Sequence, residues 1–230
     1  MNLNLCVLRR ATGQAALMAM LGLMSHAAQA FPGLGGMGGM SPQAAAAAKA
    51  AMPALPAGNT KAYVGSFRSA CMEMQPGELA FEDVLTLTPK DDKTVSVGME
   101  KFIFSTVTCE PDTLMGSVVV PSATWTLDSQ VRLGLRLVDE VTVRLPTGKI
   151  VVNAKARAKA KGRISAVGSD IRLYYGKGEE MTISDTAQAS EDRGLRYLNG
   201  DQLLLDDPTA EGPAGYPSAL LETMPFKKQP

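Results

Sequence analysis

The chain has 230 residues, with 23 basic and 23 acidic side chains and a single histidine, His26. Such a balance gives no global field for nucleic acid, so no nucleic-acid partner is expected. Lone His26 sits in the first 30 residues, so any form lacking them can use neither Ser-His-Asp nor Cys-His catalysis, nor imidazole metal ligands.

Residues 1–30 read as a cleavable secretory signal. Arg9 and Arg10 form a cationic start, an apolar stretch runs through Leu17, Met20, Leu21 and Leu23, and Ala28-Gln29-Ala30 is a small-x-small cleavage site. The apolar stretch is shorter than the ~20 residues of a membrane-spanning helix. A periplasmic or secreted protein beginning near Phe31 is expected, rather than an integral membrane protein. Cleavage would leave 21 basic against 23 acidic side chains.

Cys6 would leave with the signal, and Cys71 and Cys109 remain. An even pair in an oxidising compartment predicts one structural disulfide. It would close a separation of 38 residues, for about 4 kcal/mol in the chain-entropy model.

Three segments are expected: the signal, a Gly/Ala/Pro-rich flexible arm over 31–60, and a single β domain over 61–230 with a loop tail after Pro208. Within the arm, Ser41-Pro42 and the alanines Ala44 to Ala48 predict a short N-terminal helix ended by Pro53. Leu79, Phe81, Leu85 and Leu87 alternate with more polar residues, as a strand with one buried face requires. Val95, Val97 and Met99 open the return strand, and Phe102 and Phe104 suggest a change of phase through a bulge near Gly98 to Lys101. Val118 to Val120 and the pair Trp125, Leu127 form two further runs.

A hairpin is predicted from Leu137–Leu145 through Pro146-Thr147-Gly148 into Lys149–Val152. Two later stretches, 162–173 and 194–205, each read as strand, glycine turn, strand. Strands at this spacing without amphipathic helices predict an all-β fold, an antiparallel meander of roughly eight to ten strands closing into a barrel or sandwich.

Lys155, Arg157, Lys159, Lys161 and Arg163 alternate with alanines or glycine, whether as strand or helix, and form a basic patch that reads first as a solvated, aggregation-resistant edge and otherwise as a contact for anionic headgroups or an acidic polymer. The carboxylates Glu179, Glu180, Asp185, Glu191 and Asp192, with Asp201, Asp206, Asp207 and Glu211, lack calcium-loop spacing and read as solvated loops. Met72 and Met74, with Met37, Met40 and Met52, are soft donors, but no histidine accompanies them. No metal or other cofactor is expected.

Tyr63-Val64-Gly65-Ser66-Phe67 resembles the G-x-W opening of lipocalins, with Phe67 in place of tryptophan. The chain also resembles a group of uncharacterised exported β-rich domains of proteobacteria in four features. These are that opening, Cys71 and Cys109, the Asp139–Val143 strand, and the Gly215-Tyr216-Pro217-Ser218-Ala219-Leu220 tail. The resemblance implies one β domain with one disulfide and brings no activity with it. The expectation is a non-enzymatic, barrel-like binding module whose apolar or amphiphilic ligand sits beside Phe67 and Trp125. The alternative is a structural or interaction protein of the cell envelope.

Overall fold

The computed structural model describes residues 58–176, 178–210, 212 and 217–230. The expected signal, the helix near Ser41 and Gly215-Tyr216 lie outside these residues.

The chain folds as an all-β structure in which every strand pairing is antiparallel. The first part comprises β1 (Gly65–Arg68), β2 (Met72–Gln75), β3 (Leu79–Pro89), β4 (Thr94–Phe104), β5 (Leu114–Leu133) and β6 (Arg136–Leu145). An excursion follows, with β7 (Gly148–Lys149), β8 (Val151–Asn153), β9 (Arg163–Val167), β10 (Asp170–Tyr175), β11 (Glu179–Ser184) and β12 (Thr186–Ala187). The chain then returns through β13 (Ser190–Asn199), β14 (Gln202–Leu205) and β15 (Phe226–Lys228).

The hydrogen-bonded order β1-β15-β14-β13-β6-β5-β4-β3 is closed by a second pairing of β1 with β3, giving an eight-stranded barrel. Closure decides between the two expected architectures and removes the exposed edges that a sandwich would keep. The strands at the centre form the expected meander, β3 to β6.

Alternation holds along β3, where Leu79, Leu85 and Leu87 are buried. It also holds along β4, with a difference from expectation. Val95, Val97, Met99, Lys101 and Ile103 are all buried, so no change of phase occurs and Lys101 occupies an inward position. Phe102 instead faces outward beneath the Arg68 guanidinium, 5.4 Å from its ring centre. The register does shift there, but the extra residue belongs to β5, because Val97 faces Ala123 while Met99 faces Val120. Pro121 lies in that interval, and a residue without an N–H is tolerated at a bulge. The two runs around Val118 and Trp125 are consequently one strand, β5.

The predicted hairpin after Leu145 does not form. β6 pairs with β5 and β13, whereas β7 pairs with β12 and β8 with β5. The turn that does fold β5 onto β6 is Gly134-Leu135, with Gly134 at φ 62°. Pro146-Thr147-Gly148 instead carries the chain onward beside β5, where β8 pairs with Ser117–Val119, and a Cβ on Gly148 would lie 2.8 Å from the Pro121 ring. The two look-alike stretches are both hairpins, β9–β10 and β13–β14. Only the second belongs to the barrel.

The excursion strands β9 to β11 form a three-stranded sheet. Its Ile164, Ile171, Leu173 and Ile183 join the same buried cluster as the barrel residues. Gly162 approaches Met115 at the start of β5, and Gly176 approaches Glu78 just before β3. The sheet therefore spans the barrel end where β3 and β5 begin and β4 finishes.

The opposite end is crossed by residues 58–63. A Cβ on Gly58 would lie 2.1 Å from Asp139 Oδ1 on β6. Thr60 Oγ1 donates to the Asp91 carbonyl in the β3–β4 turn at 2.7 Å. Residues 58–60, expected in the arm, are thus part of the barrel closure.

The tail after Pro208 is not all loop. β15 fills the place between β1 and β14, with Phe67 facing Lys228 and Leu203 facing Phe226. Leu220 packs on a separate cluster with Val138, Leu195 and Leu204, so the tail covers an outward face of β6, β13 and β14.

Cys71 and Cys109 form the disulfide, with Cα atoms 5.8 Å apart. It ties the β1–β2 connection to the loop after β4, beside Ala80 and Phe104.

Candidate functional site

Phe67 and Trp125 both lie in the continuous barrel core, 0% and 1% exposed. Phe67 pairs across β1 and β3 with Leu85. Trp125 stands on β5 between Val95 of β4 and Val143 of β6. Inward wall positions around it are small and aliphatic, including Val97, Val120, Ala123 and Val141.

Two polar constellations interrupt this apolar interior. At the end crossed by residues 58–63, the Arg196 guanidinium lies 4.5 Å from the Trp125 ring centre, and Tyr63 meets that ring edge-on at 6.3 Å. Arg196 donates to the Leu195 carbonyl at 2.7 Å and also bonds Asp206. Tyr63 Oη donates to Asp139 at 2.6 Å, and Gln130 Nε2 donates to the same carboxylate at 2.8 Å. Burial pushes the Tyr63 hydroxyl far above the ordinary phenol range, and the Asp139 carboxylate adds to the shift. Trp125 Nε1 is buried and makes no hydrogen bond among the described residues.

Toward the other end stands a buried ion pair. Asp83 on β3 faces Lys101 on β4 in register, with Nζ 2.7 Å from Oδ1. The two side chains are 1% and 3% exposed. Lys101 Nζ also lies 3.5 Å from the Phe81 ring centre. Asp83 Oδ2 makes no hydrogen bond among the described residues. Burial pulls the Lys101 ammonium below its ordinary range, while the facing Asp83 carboxylate opposes that shift.

Sequence reasoning assigned none of Asp83, Lys101, Tyr63, Asp139 and Arg196 to a functional site. A signal existed for the first two: each is the one charged member in the apolar phase of an alternating strand. Strict continuation of period two through β3 and β4 places both inward.

The basic residues are in neither a strand nor a helix as a group. Residues 154–162 form a loop between β8 and β9, and Arg163 opens β9. All five cations are exposed. Backbone hydrogen bonds fix the loop to the barrel, from Arg157 to the Leu114 carbonyl and from Lys159 to the Asp112 carbonyl. Lys159 pairs with Asp112, and Arg163 lies over the Tyr174 ring. Lys155, Arg157 and Lys161 have no ion-pair partner among the described residues.

The acidic residues are largely matched locally. Asp185 pairs with Lys149, Glu180 with Arg172, Glu191 with Arg144 and Asp206 with Arg196. Lys149 and Thr186 hold the Asp185 carboxyl below its usual range. Among the described residues there is no group of three or more metal-ligating side chains, and no helix is long and apolar enough to cross a membrane. Met72 and Met74 both fall on β2, while Met37, Met40 and Met52 lie outside the described residues.

No protein-family model matches the chain, and no curated protein or solved structure is significantly similar to it. What the fold defines is a closed, eight-stranded antiparallel barrel, a scaffold compatible with binding.

Proposed function

We propose that this chain is an exported, non-enzymatic binding module that takes one small apolar or amphiphilic ligand in its barrel interior. The observation that carries this reading is a set of buried polar atoms with no hydrogen-bond partner among the described residues, Trp125 Nε1, Arg196 Nε and Asp83 Oδ2, within a largely apolar interior. Buried groups left unpaired cost about 1–3 kcal/mol each, so each calls for a specific reason. An eight-stranded barrel is wide enough either to be filled by side chains or to hold one small ligand. The disulfide is consistent with an oxidising compartment.

Native mass spectrometry of protein purified from its producing cell tests the proposal. A co-purifying amphiphile of defined mass, displaced by added decanol with a shift in Trp125 emission, is the expected result. An apo mass throughout, with no saturable emission change for any amphiphile, overturns it.

The basic loop favours a second reading, contact with an anionic envelope component. Lys155, Arg157 and Lys161 are exposed on a backbone held against the barrel. Salt-sensitive binding to anionic vesicles, lost when these three become glutamine, would support that contact. Equal binding by the triple variant would remove it.

A further inference from the structure

Resting on the interior-binding reading, we infer that the ligand's head group is neutral overall, a hydroxyl or a carboxamide, and that it is held by Asp83 and Lys101. These two side chains face each other in register on adjacent strands and are nearly excluded from solvent. Together they already sum to zero charge.

An ionised carboxylate brought to this place would meet Asp83 and carry one uncompensated negative charge into the barrel. An ammonium would meet Lys101 with the opposite excess. Either arrangement incurs the desolvation penalty of a third, unpaired ion in a medium of low dielectric. A hydroxyl or carboxamide brings no net charge, and it carries the two functions that the pair leaves open. Its O–H or N–H can donate to Asp83 Oδ2, which has no partner among the described residues. Its oxygen can accept from Lys101, whose ammonium has three donors and only Oδ1 as an oxygen partner among the contacts described. The Phe81 ring covers another side of Nζ, which fixes the ammonium beside the head-group position.

The neighbouring inward residues suit a tail. Leu85 follows Asp83 on β3, and Val95, Val97 and Met99 precede Lys101 on the antiparallel β4, so both lead in the same direction. The head group therefore marks the barrel end covered by β9 to β11, and the aliphatic wall leads away from it toward Trp125.

The test uses the full oxidised protein and four ligands of one tail length: decanol, decanamide, decanoate and decylammonium. Competition followed by native mass spectrometry should place the alcohol and the amide about tenfold or more ahead of both ions, equivalent to about 1.4 kcal/mol. The double variant Asp83→Leu/Lys101→Met should still bind and should rank alcohol and amide equal to decane. Decanoate or decylammonium binding as tightly as the amide would overturn the head-group inference and leave interior binding standing. Absence of binding by all four would remove interior binding, and the inference with it. Should the double variant fail to fold, the ranking on the unaltered protein decides alone.

Discussion

Removing the acidic half of the buried pair makes a prediction whose size can be worked out. In Asp83→Leu, the Lys101 ammonium is left in the barrel without its carboxylate, 3% exposed and beside an aromatic ring. It can remain charged at a cost of several kcal/mol, or it can release its proton. Releasing a proton at pH 7 from a group with an unperturbed pKa of about 10.4 costs about 1.36 kcal/mol per unit, or about 4.6 kcal/mol. That figure is a ceiling, because the chain takes the less costly route. At pH 9 the ceiling falls to about 1.9 kcal/mol. Burial already lowers Lys101 in the native protein. The unfolded chain therefore binds more protons than the folded one in this window, and the variant's stability must rise with pH. Urea unfolding at pH 7 and pH 9 measures it. The Asp83→Leu deficit should be about 3–4.5 kcal/mol at the lower pH and under about 2 at the higher, while Asp83→Leu/Lys101→Met should stay close to the unaltered protein at both. An equal deficit at the two pH values would show that Lys101 keeps its charge in contact with water, and the dry-pair reasoning would be wrong.

Other predictions concern the closure of the barrel. Reducing the Cys71–Cys109 bond should lower stability by up to about 4 kcal/mol, measured by urea unfolding with and without reductant; no change would mean the β1–β2 connection is held without it. Gly58→Ala should destabilise, because a Cβ there meets the Asp139 carboxylate, and a chain starting at residue 64 should melt well below one starting at 58; equal melting would refute the role given to residues 58–63. Tyr63→Phe should cost about 1.5–3 kcal/mol at pH 8 by removing a hydrogen bond to a carboxylate. Since the folded Tyr63 hydroxyl is shifted upward, its contribution is complete below the unfolded value near 10 and declines as pH rises beyond it. The gap between native protein and Tyr63→Phe should therefore narrow from pH 8 to pH 11, and a constant gap would contradict the assignment.

Much of the barrel could be read from the order of residues, because alternation is local. β3, the apolar face of β6 with Val141, Val143 and Leu145, and the Asn199-Gly200 hairpin all follow from period two and turn chemistry. Partner choice was less legible. Gly134-Leu135 is a turn inside a leucine-rich run, with no proline or asparagine to mark it, whereas Pro146-Thr147-Gly148 carries stronger turn signals and only redirects the chain. β15 was missed because three residues, Phe226–Lys228, offer too short a run to show periodicity. What recruits them is the space between β1 and β14, a tertiary demand invisible in sequence.

The candidate site was hidden for a related reason. Lys101 sits between Met99 and Ile103, and hydropathy alone assigns a lysine to solvent. Phe102 and Phe104 then made a shift of phase look necessary. Two facts remove that necessity: Asp83 neutralises Lys101 across the strand pair, and Arg68 with the disulfide cluster gives Phe102 an apolar outer surface. The same logic holds at the far end, where Arg196 is buried because Trp125, Asp206 and a carbonyl meet it. Each of the two buried cations, Lys101 and Arg196, is thus accompanied by an aromatic ring and a carboxylate. Six residue steps of β4, from Val95 beside Trp125 to Lys101, separate the two constellations, about 20 Å at a strand's rise per residue. In the proposed reading, the Asp83–Lys101 end of that interval receives the head group and the apolar stretch toward Trp125 receives the tail.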